Sequence, residues 1–166
     1  MNIQSKESWS LKMVSPLEPG IVCVDIDRML DFYTSVLGLK FVSDAEATAE
    51  MSTEFGTSPH GFRIIRLQTP YGERIKLVQP KKFPPKPSSV PDWVFEGQGI
   101  AYITFVIADV HEVAARLKER QVALMSNAPV EIRKGITAVF AKDPEGNFVE
   151  FVEYADLASY RPDLLK

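Results

Sequence analysis

GIVCVDIDRMLDFYTSVLGLKFV, residues 20–42, and AYITFVIADVHEVAARLKERQVALM, residues 101–125, are two versions of one unit. In each, a β-branched run ends in an Asp, Asp25 or Asp109. Eight residues later stands an anchor, Tyr33 or Leu117. Each copy closes on a hairpin-like stretch, TPYGERIKLVQ (69–79) or KDPEGNFVEFVEY (142–154). A duplication of this length sets the architecture, because each copy must bury one sheet face of its own.

Residues 21–24 read as a buried strand. Asp25 or Asp27 can cap the helix that follows. Met29, Leu30, Phe32, Tyr33, Val36 and Leu37 form its apolar face, and Gly38 stands where a helix C-terminal glycine belongs. Residues 39–42 make a short strand, and the polar, aperiodic stretch 43–60 is expected to be a mobile loop. Residues 62–67 and 74–79 are strands joined by a Pro-Tyr-Gly turn. The second copy runs strand (100–107), helix (109–119), then strands at 121–125, 136–141 and 147–153. Five prolines between residues 80 and 93 exclude helix and central strand there. The expected layout is a first strand–helix–three-strand module over 16–80, a proline-rich linker over 81–99, a second module over 100–154 and a tail over 155–166.

The chain has 166 residues, 45% of them apolar, enough for a real core. A net charge of -3 and the lack of a basic run argue against a nucleic-acid partner, and none is expected. Cys23 is the only cysteine and reads as a small buried hydrophobe, so no internal disulfide can form. No stretch is apolar enough to span a membrane, and the N-terminus lacks the apolar core of a signal peptide. The expected compartment is cytoplasmic.

The pattern VDIDRMLDFYTSVLGLKFV, with the closing DPEGNFVEFVEY, resembles the vicinal oxygen chelate superfamily, the group of glyoxalase I, extradiol dioxygenases and bleomycin-resistance proteins. The resemblance runs through both copies, over roughly residues 16–154. It implies an α+β fold in which two βαβββ modules form a cup-shaped mixed sheet with helices outside. It also implies a homodimer. Enzymes of this group place metal ligands, usually His or Glu, on the first and last strands of each module. By that correspondence the four positions fall on Glu18, Lys76, Tyr102 and Glu150. Only Glu150 matches the pattern fully. Lys76 is a cation, and a charged ammonium has three donor hydrogens and no lone pair. No cofactor is therefore expected; a divalent metal, if one binds, would sit on Glu18 and Glu150. His60 and His111 read as surface residues.

Strand periodicity bears on the same residues. Arg74, Lys76 and Val78 share one face of their strand. Tyr102, Thr104 and Val106 share one face of theirs, as do Phe148, Glu150 and Val152. These mixed sets should line the cup, with the apolar sets beneath the helices. Two readings of Lys76 and Glu150 stand: solvated charges on an open face, or a cluster with Lys76 between Glu18 and Glu150, its one charge replacing a divalent ion. Glu150, Glu18 and Lys76 are the candidate catalytic residues. Tyr102, Phe148, Arg74 and Thr104 are candidate ligand contacts, although Tyr102 and Phe148 also suit plain packing. Arg63 and Arg66 are expected at the surface. Trp93 and Phe95 suit a lid over the cup or a subunit interface.

The leading functional expectation is metal-free binding of a small, partly apolar molecule in the cup. That binding would serve sequestration or proton transfer, the latter with Glu150 or Glu18 as base and Lys76 stabilising an oxyanion. A metal-dependent lyase, isomerase or dioxygenase is the alternative, and a non-catalytic interaction module is the third.

Overall fold

The computed structural model describes residues 11–83, 91–96 and 99–164. The sequence expectations for residues 1–10 and for residues 84–90 and 97–98 of the proline-rich linker lie outside them. The elements run β1 (Gly20–Val22), α1 (Ile26–Asp31), β2 (Lys40–Ala47), α2 (Ala49–Glu54), β3 (Phe62–Gln68), β4 (Arg74–Pro80), β5 (Tyr102–Val106), α3 (Val110–Glu119), β6 (Val130–Arg133), β7 (Ile136–Lys142), β8 (Phe148–Tyr154) and α4 (Leu157–Tyr160). They form two four-stranded mixed sheets, ordered β1-β4-β3-β2 and β5-β8-β7-β6. In each, the first strand pairs in parallel with the last, and the other neighbours are antiparallel. The fold is α+β with no closed barrel.

Each helix begins where the sequence offers a cap. Asp25 accepts from the Arg28 N–H, and Asp109 from the N–H groups of His111 and Glu112. After Asp31 the first helix widens into a π turn, Phe32–Val36, where the Leu37 N–H reaches back to the Phe32 carbonyl at 3.1 Å. The wider turn lets two consecutive residues face inward. Phe32 and Tyr33 are both buried, their rings edge to face with centroids 5.2 Å apart.

The core lies on the helix side of both sheets. Ile65, Leu67, Ile75 and Leu77 of the first sheet and Val139, Ala141, Val149 and Phe151 of the second belong to one continuous cluster. Tyr33 and Leu117, the two anchors, are both fully buried in it. Polar bonds lock the halves together on this side. The Tyr33 hydroxyl donates to Asp143 Oδ2 at 3.2 Å, and Asp143 also anchors its own turn through Asn147 and the Glu145 N–H. The Glu145 carboxylate accepts from the N–H groups of Val24 at 2.7 Å and Asp25 at 2.6 Å. Arg116 of α3 donates to the carbonyls of Val36 and Ser35 at 2.6 and 2.9 Å. Cys23 is buried beside this joint. Burial, then the charges of Glu145, Asp143 and Asp25, push its thiol up to about 12, so it stays protonated.

Two expectations need correction. Residues 43–54 are not a loop: β2 continues to Ala47 through a bulge at Phe41/Ser43 and α2 follows, so that only 55–61 connects as turns. The organiser is Ser52, which is buried. Its hydroxyl donates within reach of the Thr48, Ala49 and Ser58 carbonyls and accepts from the Gly61 N–H. The strand expected at 121–125 is reduced to one bridge, Leu124 to Ala141, and the edge strand forms later, at β6. Gln121 adopts a positive φ of 60° after α3, which turns the chain away before pairing can start.

Candidate functional site

The face of each sheet turned away from the helices carries the mixed side chains that alternation assigns to it. Register fixes which of them correspond. Gly20 lies opposite Lys76 in the first sheet, and Thr104 opposite Glu150 in the second. Asp25 and Asp109 follow Gly20 and Thr104 at the same spacing, so Lys76 and Glu150 occupy equivalent positions of the two modules.

On the first face, the Lys76 ammonium meets Glu18 Oε2 at 3.1 Å, with the side chains 33% and 27% exposed. The Lys76 N–H donates to the Pro19 carbonyl at 2.9 Å, which brings the chain before β1 alongside β4 and delivers Glu18. Arg66, opposite Lys76 on β3, donates to the Ser43 hydroxyl at 3.4 Å, and Arg74 to Gln68 at 3.2 Å. Both are half-buried, Arg66 against the expectation of a surface side chain. Arg63 lies on the opposite, helix-side face of β3. It bonds Asp44 and Asp27, and that guanidinium holds the Asp44 carboxyl below its usual range.

On the second face, Glu150 accepts from the Thr104 hydroxyl at 2.7 Å. Its other cross-strand neighbour is Phe140. Tyr102 stands edge to face with Phe140 at 5.3 Å and with Phe95 at 6.1 Å. Phe148 is buried, with the Lys142 ammonium 4.8 Å from its ring centroid, and that ammonium donates to the Pro91 carbonyl at 3.0 Å. Trp93 and Phe95 are both largely exposed, and Phe95 reaches the site through Tyr102.

The structure thus brings Glu18 to Lys76 and Glu150 to Thr104, on different sheets. Among the described residues, Glu150 has no ion pair and Lys76 pairs with Glu18 alone. Phe140 and Lys142 join the second face without having been singled out in the sequence. The signal was there: in ITAVFAK they share a parity, and the short turn into β8 fixes their register against Glu150 and Phe148. His60 and His111 are exposed. A cleft of about 180 Å³ lies on the helix side, between Val36, Leu39, Phe105, Val113 and Leu117. It offers apolar contact and one engaged arginine, Arg116.

The four positions suit a divalent ion poorly. Lys76 brings hydrogens instead of lone pairs and already holds Glu18, and Tyr102 is fixed between two rings. Among the described residues no three His, Cys, Asp or Glu side chains converge on a point. No helix among them is long and apolar enough to cross a membrane.

The ion pair itself should be weak. A double-mutant cycle of Glu18→Gln and Lys76→Met, read by denaturant melts, should give a coupling of ~0.2–1 kcal/mol, since water reaches both side chains. A zero coupling would assign the pair no role in holding the strand edge.

Residues 15–151 match the family described as the Glyoxalase/Bleomycin resistance protein/Dioxygenase superfamily. Among solved structures, a glyoxalase family protein from Bacillus cereus superposes with a TM-score of 0.73 at 20% identity, covering 87% of this chain and 96% of that one. A glyoxylase/bleomycin resistance protein/dioxygenase domain from Frankia sp. EAN1pec gives 0.65 at 15% identity, with 87% and 93% covered. A glyoxalase family protein from Enterococcus faecalis gives 0.59 at 19%, with 86% and 98% covered. At such identities the likeness concerns the fold. The curated proteins include no match to this sequence.

Proposed function

Because the chain belongs to the glyoxalase/bleomycin resistance protein/dioxygenase superfamily, we propose that it binds a small, partly apolar molecule on its cup faces, without a metal. The observation that carries this reading is the Glu18–Lys76 pair at 3.1 Å. It puts an occupied ammonium where the superfamily resemblance implies a metal ligand. Polar anchors beside exposed apolar and aromatic surface are the usual make-up of a binding site. Tyr102, Thr104 and Glu150 on one face and Lys76, Arg66 and Arg74 on the other supply that combination. Holding a ligand is favoured over transforming it, since Glu18 already faces a cation and Glu150 a hydroxyl donor.

The functional unit in this reading is a homodimer. Val22 on β1 is 64% exposed and Val106 on β5 is 46% exposed, both on edge strands that a second copy could cover.

The test joins metal analysis to ligand screening. The purified protein should carry no stoichiometric zinc, iron, nickel or manganese. Exhaustive chelation should leave its melting temperature and its hits in a ligand-observed NMR screen of small aromatic compounds unchanged. Loss of those hits on chelation, with recovery on adding one metal back, would overturn the metal-free reading. Sedimentation should show a dimer.

A further inference from the structure

We propose that the second sheet's cup face recognises an organic cation, an amine or quaternary ammonium on an apolar or aromatic body. It would do so through Glu150 and the rings of Tyr102, Phe140 and Phe95. This rests on the binding role proposed above and names the ligand class for that face.

Three observations converge. Glu150 is half-buried, and its one bonding partner among the described residues is the neutral Thr104 hydroxyl at 2.7 Å. A carboxylate drawn partly out of water gains from a positive partner. The lysines of the two faces are engaged elsewhere. Lys142 sits over Phe148 and donates to the Pro91 carbonyl, and Lys76 holds Glu18.

The surroundings of Glu150 are aromatic. Phe140 is its cross-strand neighbour, Tyr102 packs on Phe140 at 5.3 Å, and Phe95 on Tyr102 at 6.1 Å. The interplanar angles of 79° and 66° turn the rings in different directions, as the walls of a partial box. A cation within about 6 Å of a ring face is attracted by its quadrupole. The rings are also accessible: Phe95 is 79% exposed and Tyr102 37%. The same face already holds one ammonium over a ring, Lys142 on Phe148 at 4.8 Å.

Charge distinguishes this from a merely greasy patch. An apolar patch would bind a neutral ligand as well as a charged one of the same shape. An anionic ligand would meet Glu150 directly and be repelled.

The test uses three probes of similar size: benzyltrimethylammonium, its neutral isostere neopentylbenzene, and phenylacetate. Binding to the full-length protein is followed by ligand-observed NMR titration. The cation should bind at least tenfold more tightly than the isostere, and phenylacetate should bind most weakly. Glu150→Gln, nearly isosteric, should erase the cation preference while keeping the isostere's affinity. Tyr102→Leu should weaken the cation severalfold with an unchanged melting temperature. Equal or tighter binding of isostere or phenylacetate to the wild type would overturn the inference and leave the binding role intact. So would a cation preference that survives Glu150→Gln. Failure of all three probes and of the wider aromatic screen would remove both.

Discussion

Replacing Tyr33 with Ala should cost about 3–5 kcal/mol in a denaturant melt, close to the whole margin of a small domain. The side chain is fully buried where the two halves meet, and its loss would open a large cavity there. Tyr33→Phe separates packing from bonding, because it deletes only the hydroxyl that donates to Asp143. A hydrogen bond to a charged group is worth ~1.5–3 kcal/mol, so the Phe variant should lose an amount in that range at neutral pH.

That deficit should depend on pH, with a definite sign. Burial raises the Asp143 carboxyl above its ordinary range, while hydrogen bonds from Asn147, the Asn147 and Glu145 N–H groups and Tyr33 oppose the rise. A raised carboxyl contributes stability that is complete below the unfolded value and fades as pH climbs through the folded one. Removing the Tyr33 donor raises the group further and deepens that loss at neutral pH. The Tyr33→Phe deficit should therefore shrink as pH falls toward the ordinary aspartate range. Melts of both proteins across that range provide the check. A deficit that stays constant would mean that Asp143 keeps one protonation state throughout.

Gly61→Ala should be the second severe change. Gly61 has φ +80°, and an added Cβ would stand 2.5 Å from the Ala47 carbonyl oxygen and 3.2 Å from the Ala49 nitrogen. Both are backbone atoms at the junction of β2 and α2, which Ser52 also ties down through the Gly61 N–H. Neither can yield without unmaking that junction. Gly38→Ala makes the control, with φ +78° and nothing near the added carbon. The left-handed backbone alone should cost ~1–2 kcal/mol at either site. The clash should add at least as much again at Gly61, for a total of ~2–4 kcal/mol. Equal losses at the two glycines would show that the junction absorbs the methyl group.

The fold was readable because its signals are local and repeated. Asp25 and Asp109 cap their helices, and Tyr33 and Leu117 keep one spacing behind them. Strand alternation separated the two faces of β4, β5 and β8 correctly. What escaped has physical reasons. α2 has no hydrophobic period; a buried serine hydroxyl holds it, and pattern reading takes a serine for a loop residue. β6 is an edge strand with Val130 and Ile132 exposed, so no burial pattern marks it. For the candidate site, periodicity assigned Lys76 and Glu150 to the sheet faces turned away from the helices, where the structure has them. It carries no information on the distance between two sheets, so it could not tell that Lys76 meets Glu18 while Glu150 meets Thr104.

The contacts described between the halves lie on the helix side, and this bears on which positions can change. Ile75 and Leu77 anchor the fold, while Arg74 and Lys76 between them point the other way. Thr104 and Glu150 likewise alternate with Ile103 and Phe151. The half-exposed positions among them, Arg74, Lys76 and Glu150, and the exposed Thr104 can therefore be substituted with little expected cost in folding, while buried Ile75, Leu77 and Phe151 cannot. In a frame built this way the chemistry of the outward faces can be rewritten by substitutions at even spacing, leaving the core untouched.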